Sequence, residues 1–171
     1  LMFSKQYMEH YDNKDRYYMF YLLTLGATLG VFFSDSLWTT FMFFEMMSLT
    51  SFVLVIHDEK KETISAAMTY LAIAIISGMI LLMGMFLLQS ELKTLSFTEI
   101  SILCKDGIST NVYIAGICLL LGFGAKAGMF PLHIWLPKAY PVAPAPASAL
   151  LSGILSKAGV MEKFHNQKQG K

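Results

Sequence analysis

With 171 residues, 55% of them hydrophobic and 15% charged, and a mean hydropathy of +0.53, the chain has the composition of a membrane protein. Its net charge of +1 carries no basic excess that would point to nucleic acid as a partner. The two cysteines, Cys104 and Cys118, have neither metal-ligand spacing nor the look of a disulfide framework, and no metal or cofactor site is expected.

Residues 1–16 form a polar segment carrying Lys5, Glu9, Asp12, Lys14, Asp15 and Arg16, without the basic tip and apolar run of a cleavable signal peptide. From Tyr17 to Ser34 the sequence turns apolar, with Tyr17, Tyr18 and Tyr21 placed like an interfacial aromatic belt, which predicts a first span. Asp35 and Ser36 make a short turn where Ser34 or Asp35 is positioned to cap the next helix. The second span, about Leu37 to Ile56, holds one ionisable residue, Glu45, near its middle. A carboxyl group there is either a neutral, hydrogen-bonded packing element or the partner of a buried cation.

His57 to Glu62 reads as a charged surface loop. The third span, Thr63 to Gln89, is about 40 Å long as a helix and has no ionisable residue after its first turn. Its Ala66, Ala67, Ala72, Ala74, Gly78 and Gly84 suit close helix packing. Ser90 to Ser109 is a polar connection in which Ser96-Phe-Thr-Glu99 has the pattern of a capping box opening a short surface helix through Cys104.

The fourth span, Asn111 to about Leu136, contains Lys126 after an uncharged run of roughly 20 Å as a helix. A lysine at the bilayer centre costs roughly 3 kcal/mol, so such residues mark ion or proton paths. The competing role, snorkelling to an interface, favours lysines near helix ends, whereas Lys126 is expected at mid-depth. Gly122, Gly124 and Gly128 do not have the spacing of a nucleotide loop, and no Gly-Lys-Ser/Thr follows. Pro131, just after Gly128, removes a backbone donor and clashes with the preceding turn, which predicts a break in the helix between Gly128 and Pro131. Broken membrane helices occur where they line a cavity or a substrate site. His133 follows the break, and two roles fit it equally: an interfacial hydrogen-bonded histidine or a proton relay.

Lys138 to Pro146 is a proline-rich loop. From Ala147 or Ser148 a last apolar helix carries Lys157 and reaches Met161, about 15 residues against the roughly 20 that a span needs. Residues 162–171 are a polar tail, leaving 17–161 as the transmembrane part. Lys5, Lys14, Arg16, Lys60, Lys61 and Lys138 fall on one side and Lys93 and Lys105 on the other, which puts the amino-terminal end in the cytoplasm of a multi-pass protein of the cell inner (plasma) membrane.

Gly122-Phe-Gly-Ala-Lys-Ala-Gly-Met-Phe-Pro-Leu-His-Ile-Trp-Leu-Pro137, with Ala143-Pro-Ala-Pro-Ala-Ser-Ala-Leu-Leu-Ser-Gly153 and Phe43-Phe-Glu-Met-Met-Ser-Leu-Thr-Ser-Phe-Val-Leu54, resembles the antiporter-like membrane subunits. These are shared by respiratory complex I, Mrp-type Na⁺/H⁺ antiporters, membrane-bound hydrogenases and formate hydrogenlyases. The resemblance runs to Val160 and implies an all-α polytopic membrane bundle, about five transmembrane helices, four through eight, of a larger fourteen-helix fold. It implies that Glu45 is the family's helix-five glutamate, Lys126 the lysine of the broken helix seven, and Lys157 a helix-eight lysine of some members. Where many members read Leu-Pro-Asp/Glu-Ala-His, this chain has Leu136-Pro-Lys-Ala-Tyr140, and the Thr63 to Gln89 span lacks the lysine many members carry there. The resemblance implies that the eleven residues after Val160 match nothing in the family and that the chain carries no counterpart of helices nine to fourteen.

The resemblance implies proton or Na⁺/H⁺ translocation through a buried Glu45–Lys126 pair, with other membrane subunits of a complex I-like, Mrp-type or hydrogenase assembly and the lipid bilayer as partners. The alternative is a non-transporting segment that only packs against such subunits. No nucleophile-base spacing, metal cluster or phosphate loop gives the chain a catalytic site of its own, so any enzymatic role is as a subunit of an NADH:quinone oxidoreductase or hydrogenase complex.

Overall fold

The computed structural model describes residues 14–57, 61–103, 109–130, 132–139, 141, 143, 145–150 and 152. The segment before Lys14, Pro131, Lys157, most of the expected last helix and the tail 162–171 lie outside the described residues. Among the described residues seven α-helices follow one another: α1 Lys14–Phe33, α2 Leu37–Val55, α3 Lys61–Leu92, α4 Phe97–Leu103, α5 Thr110–Ala127, α6 Trp135–Ala139 and α7 Ala145–Leu150, with a 3-10 turn at Leu132–Ile134. Among the described residues three stretches, Leu37–Val55, Thr63–Leu92 and Thr110–Ala127, are long and apolar enough to cross a membrane. Helix α1 has 20 residues but is not among them: it opens on Lys14, Asp15 and Arg16, and three tyrosines follow.

Helix α3 is the axis of the bundle, packing along α5 most extensively and also against α2 and α6, while α1 packs on α2. The inward positions hold Phe44, Met47, Leu54, Tyr70, Leu81, Met85 and Trp135. Large apolar residues such as Phe33, Met79, Met83, Phe86 and Tyr113 point outward, as expected where the surrounding medium is itself apolar. Between helices, hydroxyl groups supply the specific contacts. Thr24 donates to Thr50 across the α1–α2 seam at 2.9 Å, and Ser51 on α2 is bonded to the Tyr70 hydroxyl on α3, whereas Thr28 and Ser48 donate within their own helices to the carbonyls of Thr24 and Phe44 one turn earlier. Gly84 allows α3 to lie on α5, since a Cβ there would stand 3.0 Å from both the Ala115 carbonyl oxygen and the Cys118 Cβ.

Two expected caps are replaced by neighbours. Helix α2 is capped by Ser36, whose Oγ accepts from the Thr39 backbone N–H at 3.3 Å, because the turn extends through Ser36 and Ser34 Oγ is bonded to the Val31 carbonyl. At α4, Glu99 does not return to the Ser96 N–H. Thr94 intervenes, accepting from that N–H at 3.2 Å and donating its own hydroxyl to Glu99. The same end of the bundle is pinned by an antiparallel bridge between Ser36 and Ser96, with Leu37 N–H donating to the Leu95 carbonyl at 2.9 Å.

The broken helix is present at the expected place. Helix α5 stops at Ala127, and Gly128 takes the left-handed conformation (φ 79°) that closes it. The N–H groups of Gly128 and Met129 satisfy the Ala125 and Gly124 carbonyls at 3.2 and 2.8 Å. Trp135, at the start of α6, reaches back to donate its indole N–H to the Ala125 carbonyl at 2.9 Å, tying the two halves across the break.

Candidate functional site

Helices α2, α3 and α5 bring Glu45, Ser48, Tyr70 and Lys126 together. Lys126 occupies the last turn of α5, closer to a helix end than its sequence position implied, because the break ends the helix one residue later. Its side chain nonetheless turns inward and is 3% exposed, which excludes snorkelling to a surface.

The ammonium donates to Ser48 Oγ on α2. Ser48 commits its own proton to the Phe44 carbonyl at 2.8 Å, leaving its oxygen lone pairs for the lysine. Two aromatic faces complete the surround, with Nζ 5.2 Å from the Phe44 ring centre and 5.4 Å from that of Tyr70. Both rings are themselves braced: Phe44 stands edge-on to Phe123 at 5.1 Å, and Tyr70 lies 5.0 Å from Trp135. The Tyr70 hydroxyl is bonded to Ser51 Oγ at 2.6 Å, and Ser51 donates to the Ser48 carbonyl at 3.0 Å.

Glu45 lies one turn before Ser48 on α2. A direct ion pair between Glu45 and Lys126 is not present; Lys126 is held by the neutral hydroxyl of Ser48 instead. The Glu45 carboxyl group lies across Gly78 of α3, where a Cβ would stand 2.5 Å from Oε1, 3.0 Å from Cδ and 3.2 Å from Oε2. Oε1 is buried there without a hydrogen-bond partner.

His133 sits in the 3-10 turn after the break, half-buried, stacked on Phe130 at 5.7 Å with its Nδ1 buried and without a partner. Its ring contact is thus with Phe130 rather than with Lys126 or Glu45, and Lys157 is outside the described residues. Among the described residues no cluster of three His, Cys, Asp or Glu could hold a metal ion. Sequence reasoning does not single out Ser48, Tyr70, Trp135 or Gly78 as site residues. The helical spacing that puts Ser48 one turn beyond Glu45 is the signal that could have found the first of them.

Residues 34–165 match the family model described as NADH:quinone oxidoreductase/Mrp antiporter, transmembrane. The chain belongs to this family. Among curated relatives, hydrogenase-4 component B of Escherichia coli (strain K12) is 35% identical over 162 residues, covering 93% of this chain and 24% of the relative. A Na(+)/H(+) antiporter subunit of Alkalihalophilus pseudofirmus is 29% identical over 161 residues, covering 94% of this chain and 33% of the relative. A chain in the structure of the membrane-bound sulfane sulfur reductase, an archaeal respiratory membrane complex, superposes with a TM-score of 0.86 at 27% identity, over 90% of this chain and 32% of that one. The chain thus spans about a quarter to a third of the relatives it matches. It is a membrane helix bundle of a family involved in ion translocation.

Proposed function

We propose that this segment carries the proton-loading site of a proton-translocating, or Na⁺/H⁺-exchanging, subunit, with Lys126 as the proton carrier and Glu45 as its counter-charge. The single observation that carries the reading is the Lys126 ammonium, buried in an apolar bundle and held by a hydroxyl and two aromatic faces rather than by a permanent ion pair. A lysine locked to a carboxylate holds its proton too firmly to pass it on. One held by Ser48, with Glu45 a helical turn away, sits between two opposing effects: loss of water disfavours the charged form, and the approach of a carboxylate favours it. Movement of the carboxyl group toward and away from Nζ would then load and release the proton.

His133 and Lys157 are the candidate next groups along the path, and membrane subunits of a complex I-like, Mrp-type or hydrogenase assembly are the partners that would drive the movement. The amino-terminal end would lie in the cytoplasm of a plasma membrane, with 1–16 in water and 17–161 forming the membrane part. The test is acidification of vesicles containing the complete assembly with the full-length subunit. Lys126→Ala should insert and fold yet abolish transport, because no protonatable group remains at that position. Undiminished flux in Lys126→Ala, with assembly intact, would refute the proton-carrier role and leave a packing role in its place.

A further inference from the structure

Glycine is the poorest helix former after proline, and its presence inside α3 calls for a local reason. For Gly84 the reason is the α5 backbone, and for Gly122, on the facing α5, it is the Leu81 side chain of α3. Gly78 differs from both: the three atoms nearest to a Cβ at that position are all terminal atoms of the Glu45 carboxyl group. What the missing side chain of Gly78 admits is therefore a carboxyl group.

We infer that Gly78 is a positioning residue for the transport reaction: its bare backbone forms the notch in which the Glu45 carboxyl group rests while Lys126 is held by Ser48. This rests on the proton-carrier reading of Lys126 and adds to it a defined resting place for the counter-charge. Three observations meet at the notch. The whole carboxyl group fits against one glycine, its Oε1 is buried without a hydrogen-bond partner, and Lys126 is bonded elsewhere. An unpartnered buried carboxyl oxygen is unstable in place relative to one that has found a donor. The notch therefore holds Glu45 by shape rather than by a bond, and leaves it free to depart toward the ammonium.

Filling the notch has an unusual signature. Glu45 meets residue 78 with the far end of a flexible side chain, so a methyl group there displaces the carboxyl group, no backbone atom being among its three nearest neighbours. Alanine is also the better helix former. Gly78→Ala is thus expected to fold and assemble at least as well as the parent while transporting poorly, by roughly tenfold to a hundredfold, the scale on which misplacing a reacting group by about 1 Å acts. Shortening the acid should restore room, so the Gly78→Ala/Glu45→Asp double variant should recover transport relative to Gly78→Ala alone. Gly26→Ala, on α1 and with nothing within 4 Å of its Cβ, is the control that should leave transport unchanged.

The experiment measures vesicle acidification by the complete assembly for each variant, together with the infrared carboxyl band that Glu45→Gln removes. Loss of transport in Gly78→Ala, a shifted Glu45 band and recovery in the double variant support the notch. Parental transport with an unshifted band in Gly78→Ala, or failure of Glu45→Asp to rescue it, overturns the notch. If Lys126→Ala is inactive in the same vesicles, the proton-carrier reading survives that failure. Active Lys126→Ala vesicles overturn both.

Discussion

Replacing Ser48 by alanine removes the hydroxyl that the Lys126 ammonium uses, and the surrounding geometry sets the size of the effect. A hydrogen bond to an ionised group contributes about 1.5–3 kcal/mol in proteins generally. Interhelical hydrogen bonds within membranes average about 0.6 kcal/mol and reach about 1.7 kcal/mol, because the reference state also finds partners. Here the donor is 3% exposed, which argues for the upper part of the membrane range, but the Phe44 and Tyr70 faces at 5.2 and 5.4 Å remain after the substitution. Each such face contributes about 0.5–2 kcal/mol, so the ammonium is not abandoned. The net coupling between Ser48 and Lys126 should therefore be about 1–2 kcal/mol. It is measured by a double-mutant cycle of Ser48→Ala and Lys126→Met, using reversible unfolding of the full-length subunit in mixed micelles. The cycle cancels the Ser48 bond to the Phe44 carbonyl, which lies within α2 and is lost in both backgrounds. Additive effects, with coupling below about 0.5 kcal/mol, would show that the hydroxyl does not hold the lysine.

Gly128→Ala should lower stability by about 1–2 kcal/mol, visible as a reduced thermal midpoint, because an L-residue at φ 79° is strained and its Cβ would collide with Leu136; an unchanged midpoint would argue against the left-handed cap. Gly84→Ala should be destabilising by about 1–3 kcal/mol in the same assay, since the atoms it meets include the rigid Ala115 carbonyl oxygen. Gly26→Ala, facing open space, should be neutral or slightly stabilising, and equal effects at residues 26 and 84 would contradict the described α3–α5 contact.

The break in α5 was legible because glycine and proline act on their own backbone, and their effect needs no knowledge of neighbours. The burial of Lys126 was legible for a related reason: a cation in a long apolar run has few places to go. Its partner was not. In a water-soluble helix the polar face marks the outside, but on α2 the hydroxyl residues Thr40, Ser48 and Ser51 share the buried face with Phe44 and Met47 while Met42 and Met46 face out, so the usual polar-out reading is inverted. Ser48 reads as an ordinary helix serine until α5 is placed beside it. Charge logic places Glu45 within salt-bridge or single-water distance of Lys126; the structure shows no direct ion pair, the ammonium being bonded to Ser48 while the carboxyl group lies against Gly78, a position that only the packing of α3 creates. The caps failed by smaller margins, since Ser34, Ser36 and Thr94 are chemically interchangeable and the exact turn geometry chooses among them.

The bridge between Ser36 and Ser96 fixes one end of α2 to the strand-like connection that follows α3. Glu45 lies nine residues along α2 from Ser36, about 14 Å at 1.5 Å per residue. A swing of α2 about that bridge keeps these backbone bonds in place. A swing of about 5° moves Glu45 by about 1.2 Å, enough to make or lose a hydrogen bond, and moves the far end at Val55, about 28 Å from the pivot, by roughly twice as much. For such a swing, the geometry makes any displacement at the His57 end about twice the one at the Glu45 carboxyl group.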